Sequence, residues 1–138
     1  PDALVLADQD RFPTTVVVSE GADASALEPV AHIWRAPPGS KDGGIPLPWL
    51  LSRLGAEGVT HLLVEGGGAT HARFLAAGLV DRVRIYLAPL VIGGNEAPRA
   101  VGGAGFRPSL GEPPRLESAV LRRLGPDLLQ TAQIIRNH

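Results

Sequence analysis

The chain has 138 residues, 13 basic and 14 acidic side chains, a formal net charge of −1, 44% apolar residues and 20% charged residues. That length fits one globular domain, and surface scaling lets about two-thirds of the unfolded area be buried, so a core needs no covalent staple. The near-neutral balance excludes a general nucleic-acid or anionic-membrane binder. Zero cysteines exclude disulfides, thiolate metal sites, Fe–S clusters and a cysteine nucleophile. No apolar run approaches the length of a membrane span and no signal peptide opens the chain, so a cytoplasmic location is expected. Methionine is absent, so Pro1 is not expected to be the natural start of translation.

The first strand expected is Thr14-Thr15-Val16-Val17-Val18-Ser19, a β-branched run bounded by Pro13 and Gly21. Residues 24–30 suit a short helix, and His32-Ile33-Trp34-Arg35 a second strand stopped by Pro37-Pro38. Leu47, Leu50, Leu51 and Leu54 recur at helical spacing, which predicts an amphipathic helix over 46–57 closed by Gly58. Residues 59–64 form a continuous apolar run, as in a strand buried on both faces of a parallel sheet. Ala72, Leu75, Ala76 and Leu79 repeat the helical spacing over 69–80, and 83–88 reads as the next strand. This alternation predicts parallel strands with crossover helices. Residues 115–123 and 127–135 flank Leu124-Gly125-Pro126 with no helix between them, so they should pair as an antiparallel hairpin. The expected architecture is α/β, a mostly parallel sheet with helices on both faces and a C-terminal antiparallel hairpin.

The most informative segment is Val64-Glu65-Gly66-Gly67-Gly68-Ala69-Thr70, between an apolar run and a helix start. There, free backbone N–H groups and the helix dipole favour an anion, and missing side chains let a phosphate come close. Three glycines also make a tight strand-to-helix turn without any ligand. Glu65 either holds a sugar hydroxyl or substrate amine, or caps the following helix. Neither a Rossmann fingerprint (His71 stands where its third Gly belongs) nor a Walker loop (no Gly lies five residues before Lys41, in Gly39-Ser40-Lys41) is present. His32, His61, His71 and His138 share no metal-ligand spacing, and His71 reads as a surface helix residue. A second glycine pair, Gly93-Gly94, follows the 83–88 strand and suits either a flat ligand or a plain turn.

Taken together, Val64-Glu65-Gly66-Gly67-Gly68, Phe74-Leu75, Gly78-Leu79-Val80-Asp81, Ile85-Tyr86-Leu87-Ala88-Pro89, Gly93-Gly94-x-Glu96-Ala97-Pro98 and Gly103-x-Gly105-Phe106 resemble one family. It is the pyrimidine reductase family of riboflavin biosynthesis: the stand-alone reductases and the reductase domain of the bifunctional deaminase-reductase, with a dihydrofolate-reductase-like three-layer fold. The resemblance is close over about 59–106 and extends over 14–135.

The resemblance implies NADPH-dependent reduction of a ribosylaminopyrimidine 5′-phosphate to its ribitylamino product, the hydride going to the sugar C1′ of the ring-opened imine. It implies that Gly66, Gly67, Gly68, Ala69 and Thr70 bind the cofactor, that Ser19 meets its adenosine ribose, and that Glu65 faces the reacting groups. Gly93 and Gly94 would line the substrate. It implies a homodimer, with no nucleic-acid or membrane partner and no metal. Ala69 stands where the family usually has Thr or Ser, so a hydroxyl contact is lost or moved to Thr70. The family's N-terminal strand and substrate-phosphate segment are not matched, so residues 1–138 read as a single reductase domain incomplete at its N-terminus. Two other readings remain: a half-domain that binds nucleotide or packs on a partner without turnover, and a pterin or dihydrofolate-type reductase on the same scaffold. A basic residue near Ser19 would set the preference for NADPH, and Arg35 is the candidate.

Overall fold

The computed structural model describes residues 2–39, 44–94, 96–106 and 113–135, so Ser40, Lys41 and His138 lie outside the described residues. The chain divides into two compact units, Pro1–Leu62 and Leu63–His138.

In the first unit, β1 (Thr15–Ser19) and β2 (His32–Ala36) pair in parallel, with Thr15 opposite His32 and Ser19 opposite Ala36. Main-chain bonds continue the pairing at both ends, from His32 N–H to Thr14 O (3.0 Å) and from Glu20 N–H to Ala36 O (2.8 Å). The connecting residues 25–30 form hydrogen-bonded turns around Leu27 rather than the expected helix. They offer too few residues to repay helix nucleation. The Arg35 guanidinium ties this connection down, donating to Ala22 O (2.8 Å) and to the Glu28 carboxylate (3.2 Å).

Helix α1 (Leu47–Ala56) starts with Pro46 as its N-cap residue and Pro48 in its first turn, where the missing N–H costs nothing. Leu47 is its buried residue, and the Arg53 guanidinium lies 5.1 Å from the Trp34 ring of β2, a cation–π contact.

The second unit contains α2 (Gly68–Ala76), β3 (Arg82–Leu87), β4 (Leu116–Leu124) and β5 (Asp127–Ile134). Its sheet has the order β3-β5-β4 and both pairs are antiparallel, so the C-terminal hairpin forms as expected and β3 adds to its β5 side. Leu124 pairs with Asp127 across a two-residue loop. Gly125 there has φ +59, and Pro126 fixes a negative φ, a combination that suits a type II′ turn. Among the described residues, Ala132 and Phe74 are the buried apolar residues of this unit.

Both helices end in the same way. Gly58 (φ +80) and Gly78 (φ +66) follow the last turns. Val59 N–H returns to Leu54 O and Leu79 N–H to Phe74 O, as Schellman closures require.

Residues 59–64 run without ladder partners among the described residues, and Leu62 and Leu63 are exposed. Val59, Leu62, Leu63 and Val64 suit a buried strand, but Thr60 and His61 interrupt them and bond each other at 3.0 Å, and composition sets a preference and not a neighbour. The described strands are therefore a parallel pair and an antiparallel triplet, with two α-helices.

Candidate functional site

The glycine-rich turn leads directly into α2. Gly67 is the N-cap residue at φ −73, ψ 167, and no side chain caps the helix. Its carbonyl accepts from Thr70 N–H (2.9 Å) and His71 N–H (3.2 Å). The Gly68 and Ala69 N–H groups lie ahead of these first intrahelical donors, at the positive end of the helix dipole.

The three glycines are there for different reasons. A Cβ on Gly66 would meet the Thr70 side chain at 3.0–3.2 Å, so the Thr70 hydroxyl lies folded over that residue. A Cβ on Gly68 would run into Arg99 O and approach Gly102 N at 2.8 Å. A Cβ on Gly67 would meet nothing within 4 Å. Close packing within the chain thus requires glycine at 68, whereas Gly67 presents bare backbone to open space.

The segment that approaches Gly68 is a strap of residues 99–103. Gly102 N–H donates to Gly68 O at 2.9 Å, and a Cβ on Gly102 would be tight, 3.1 Å from the Gly68 carbonyl carbon. His71 Nδ1 lies 2.8 Å from Ala100 O. A carbonyl only accepts, so Nδ1 carries the proton in this contact. His71 remains a partly exposed residue of α2, and this bond gives it a structural role there. The strap was not singled out in the sequence, where Gly102-Gly103 facing a helix start was the available signal.

Glu65 is exposed just before the turn. Gly93 (φ +65) and Gly94 (φ +95) adopt the left-handed conformation that favours glycine, and a Cβ at either would meet nothing within 4 Å. They follow Leu90, Val91 and Ile92, which are 77%, 100% and 83% exposed. Ser19 belongs to the first unit, exposed at the end of β1, with its carbonyl bonded to Ala22 N–H at 3.0 Å. Arg35, expected to select the cofactor, already uses its guanidinium on Ala22 and Glu28. Among the described residues, no group of His, Asp and Glu is placed to hold a metal ion, and no helix is long and apolar enough to cross a membrane.

Comparison with known proteins bears on this arrangement. The profile of the RibD C-terminal domain matches residues 1–130. The riboflavin biosynthesis protein RibD of Bacillus amyloliquefaciens is 32% identical over 132 residues, covering 96% of this chain and 35% of that protein. The 2,5-diamino-6-ribosylamino-4(3H)-pyrimidinone 5′-phosphate reductase of Methanothermobacter thermautotrophicus is 35% identical over 122 residues, 87% of this chain and 55% of that protein. The chain thus spans from 35% to 55% of the length of these relatives. A crystal structure of a pyrimidine reductase-like protein from Corynebacterium diphtheriae aligns with a TM-score of 0.71 at 21% identity, covering 93% of this chain and 52% of that one, which shows a shared fold. With the profile match running through the turn, the strap and the hairpin alike, this chain belongs to the RibD C-terminal domain family.

Proposed function

We propose that this chain carries the reductase chemistry of riboflavin biosynthesis, the NADPH-dependent reduction of a ribosylaminopyrimidine 5′-phosphate to the ribitylamino product. The observation that carries the reading is the bare backbone at Gly67, open to space at the start of a helix that no side chain caps. Two helix-terminal amides and an absent Cβ fit a diphosphate that must lie against main chain. Membership of the family and the reductase names of its relatives supply the substrate class.

Bound at this turn, NADPH would supply the hydride. The chain's own part is to bind and orient, which is where such enzymes gain most of their rate when the cofactor holds the reactive group. Gly66, Gly67 and Gly68, with the amide of Ala69, would hold the diphosphate. The Thr70 hydroxyl over Gly66 would replace the one absent at Ala69. Glu65, exposed beside the turn, would accept a hydrogen bond from a substrate hydroxyl or amine. Ser19 would contact the adenosine ribose, and the left-handed Gly93-Gly94 pair would lie along the substrate. We also assign a homodimer, supported by the exposed apolar run 90–92.

The test is loss of NADPH absorbance on adding the ribosylaminopyrimidine phosphate. Turnover with that substrate and none with dihydrofolate or a dihydropterin is the expected result. Turnover with the pterin would move the chain to the other reductase reading. NADPH binding without any turnover would leave a nucleotide-binding unit and overturn the assignment of chemistry to this chain. Glu65→Gln should lower kcat at least tenfold with little change in NADPH affinity.

A further inference from the structure

The sheet of the second unit carries a concavity of about 410 Å³, and no residue of the glycine-rich turn lines it. Arg82 and Arg84 enter it from β3, Thr131 and Gln133 from β5, and Ser118 and Arg122 from β4, and the other lining residues are apolar. Sheet geometry explains the convergence. Residues two apart share a face, and the register sets Arg82 opposite Gln133, Arg84 opposite Thr131, and Thr131 opposite Val120, two residues before Arg122.

Ser118 arrives by a different route. It lies in the irregularity between Glu117 and Val120, and at φ +52 it is the one non-glycine among the described residues in the left-handed region. A serine there is strained, and bulges that re-aim a side chain accompany functional positions.

The chemistry of the lining is one-sided. Every polar side chain in it can donate a hydrogen bond, and none is a carboxylate. Glu117 stands opposite Gln133 in the register but does not line the concavity. The ion pairs Arg35–Glu28 and Arg53–Glu57 involve none of the three arginines. Three arginines on one face without a carboxylate among the lining residues make that face positive, and an anion with several oxygens complements it. Planar guanidinium forks match the oxygens of a phosphate group.

We propose that this concavity is a phosphate-binding site, taking inorganic phosphate or the phosphate of a small phosphomonoester, with Arg84 and Arg122 as its principal ligands. The proposal does not rest on the reductase reading.

Calorimetric titration of the 138-residue chain with inorganic phosphate, and separately with ribose 5-phosphate, tests it. Saturable binding is expected, weakened at least tenfold in Arg84→Gln and in Arg122→Gln, both exposed positions where folding should persist. Tighter binding of ribose 5-phosphate would identify an organic ester as the ligand, and equal affinity would identify free phosphate. Ser118→Gly removes both the strain and the hydroxyl, so binding should weaken while the melting temperature holds or rises. Absence of saturation would overturn the proposal, including the case where an acidic protein surface covers the face instead. So would equal affinities in wild type and both arginine variants, or loss of phosphate binding on Gly67→Val, which would place the anion at the helix start.

Discussion

Gly67 and Gly68 are neighbours in sequence with opposite constraints. At Gly67 the backbone angles suit any residue and a Cβ has free space. Gly67→Ala should therefore change stability by less than about 1 kcal/mol, because the gain through the unfolded state is offset by the poorer N-cap preference of alanine. Gly67→Val should likewise fold, yet lose NADPH binding, because its side chain would fill the space assigned to the diphosphate. At Gly68 a Cβ meets Arg99 O and Gly102 N, so Gly68→Ala should destabilise by roughly 1–3 kcal/mol, the usual cost of overpacking. Urea denaturation of the two alanine variants measures the contrast, and equal stabilities would contradict it. The sequence displayed three equivalent glycines. Their difference depends on what the strap 99–103 does in space, which no local pattern records.

At the scale of elements, the parts most legible in the sequence were those that carry their own stop signals. The leucines of α1 and the glycines closing both helices mark ends by a local rule, since a left-handed residue is needed after the last turn. Gly125-Pro126 likewise specifies its hairpin. The segment 59–64 shows the opposite case, because a strand exists only with a partner, and partners are fixed by distant residues. The strap belongs to the same class: His71 reaches Ala100 across 29 positions. His71→Ala should free the strap at a cost of about 0.5–1.5 kcal/mol, read as faster hydrogen exchange at the Gly102 amide. His71→Asn, whose amide can also donate, should restore part of the protection. Unchanged exchange at Gly102 in the alanine variant would show that Gly102–Gly68 packing alone holds the strap.

For the whole molecule, composition and spacing sufficed for an α/β chain, and the resemblance of several motifs within residues 64–106 sufficed for its family. What they left hidden was the surface. The run Leu90-Val91-Ile92 is open to solvent, and the arginine-lined concavity is assembled from three separate strands. Exposed apolar runs of this kind mark association surfaces. Sedimentation should show a dimer that shifts toward monomer in Val91→Glu, and a monomer in the unaltered protein would refute the dimer assignment. The account as a whole turns on the glycine-rich turn as a nucleotide site. The measurement that addresses it most directly is an NADPH titration, followed by cofactor fluorescence, on the 138-residue chain and its Gly67→Val variant. Saturable binding to the former and none to a folded variant is the predicted result. Equal binding by both, or no binding by either, would contradict it.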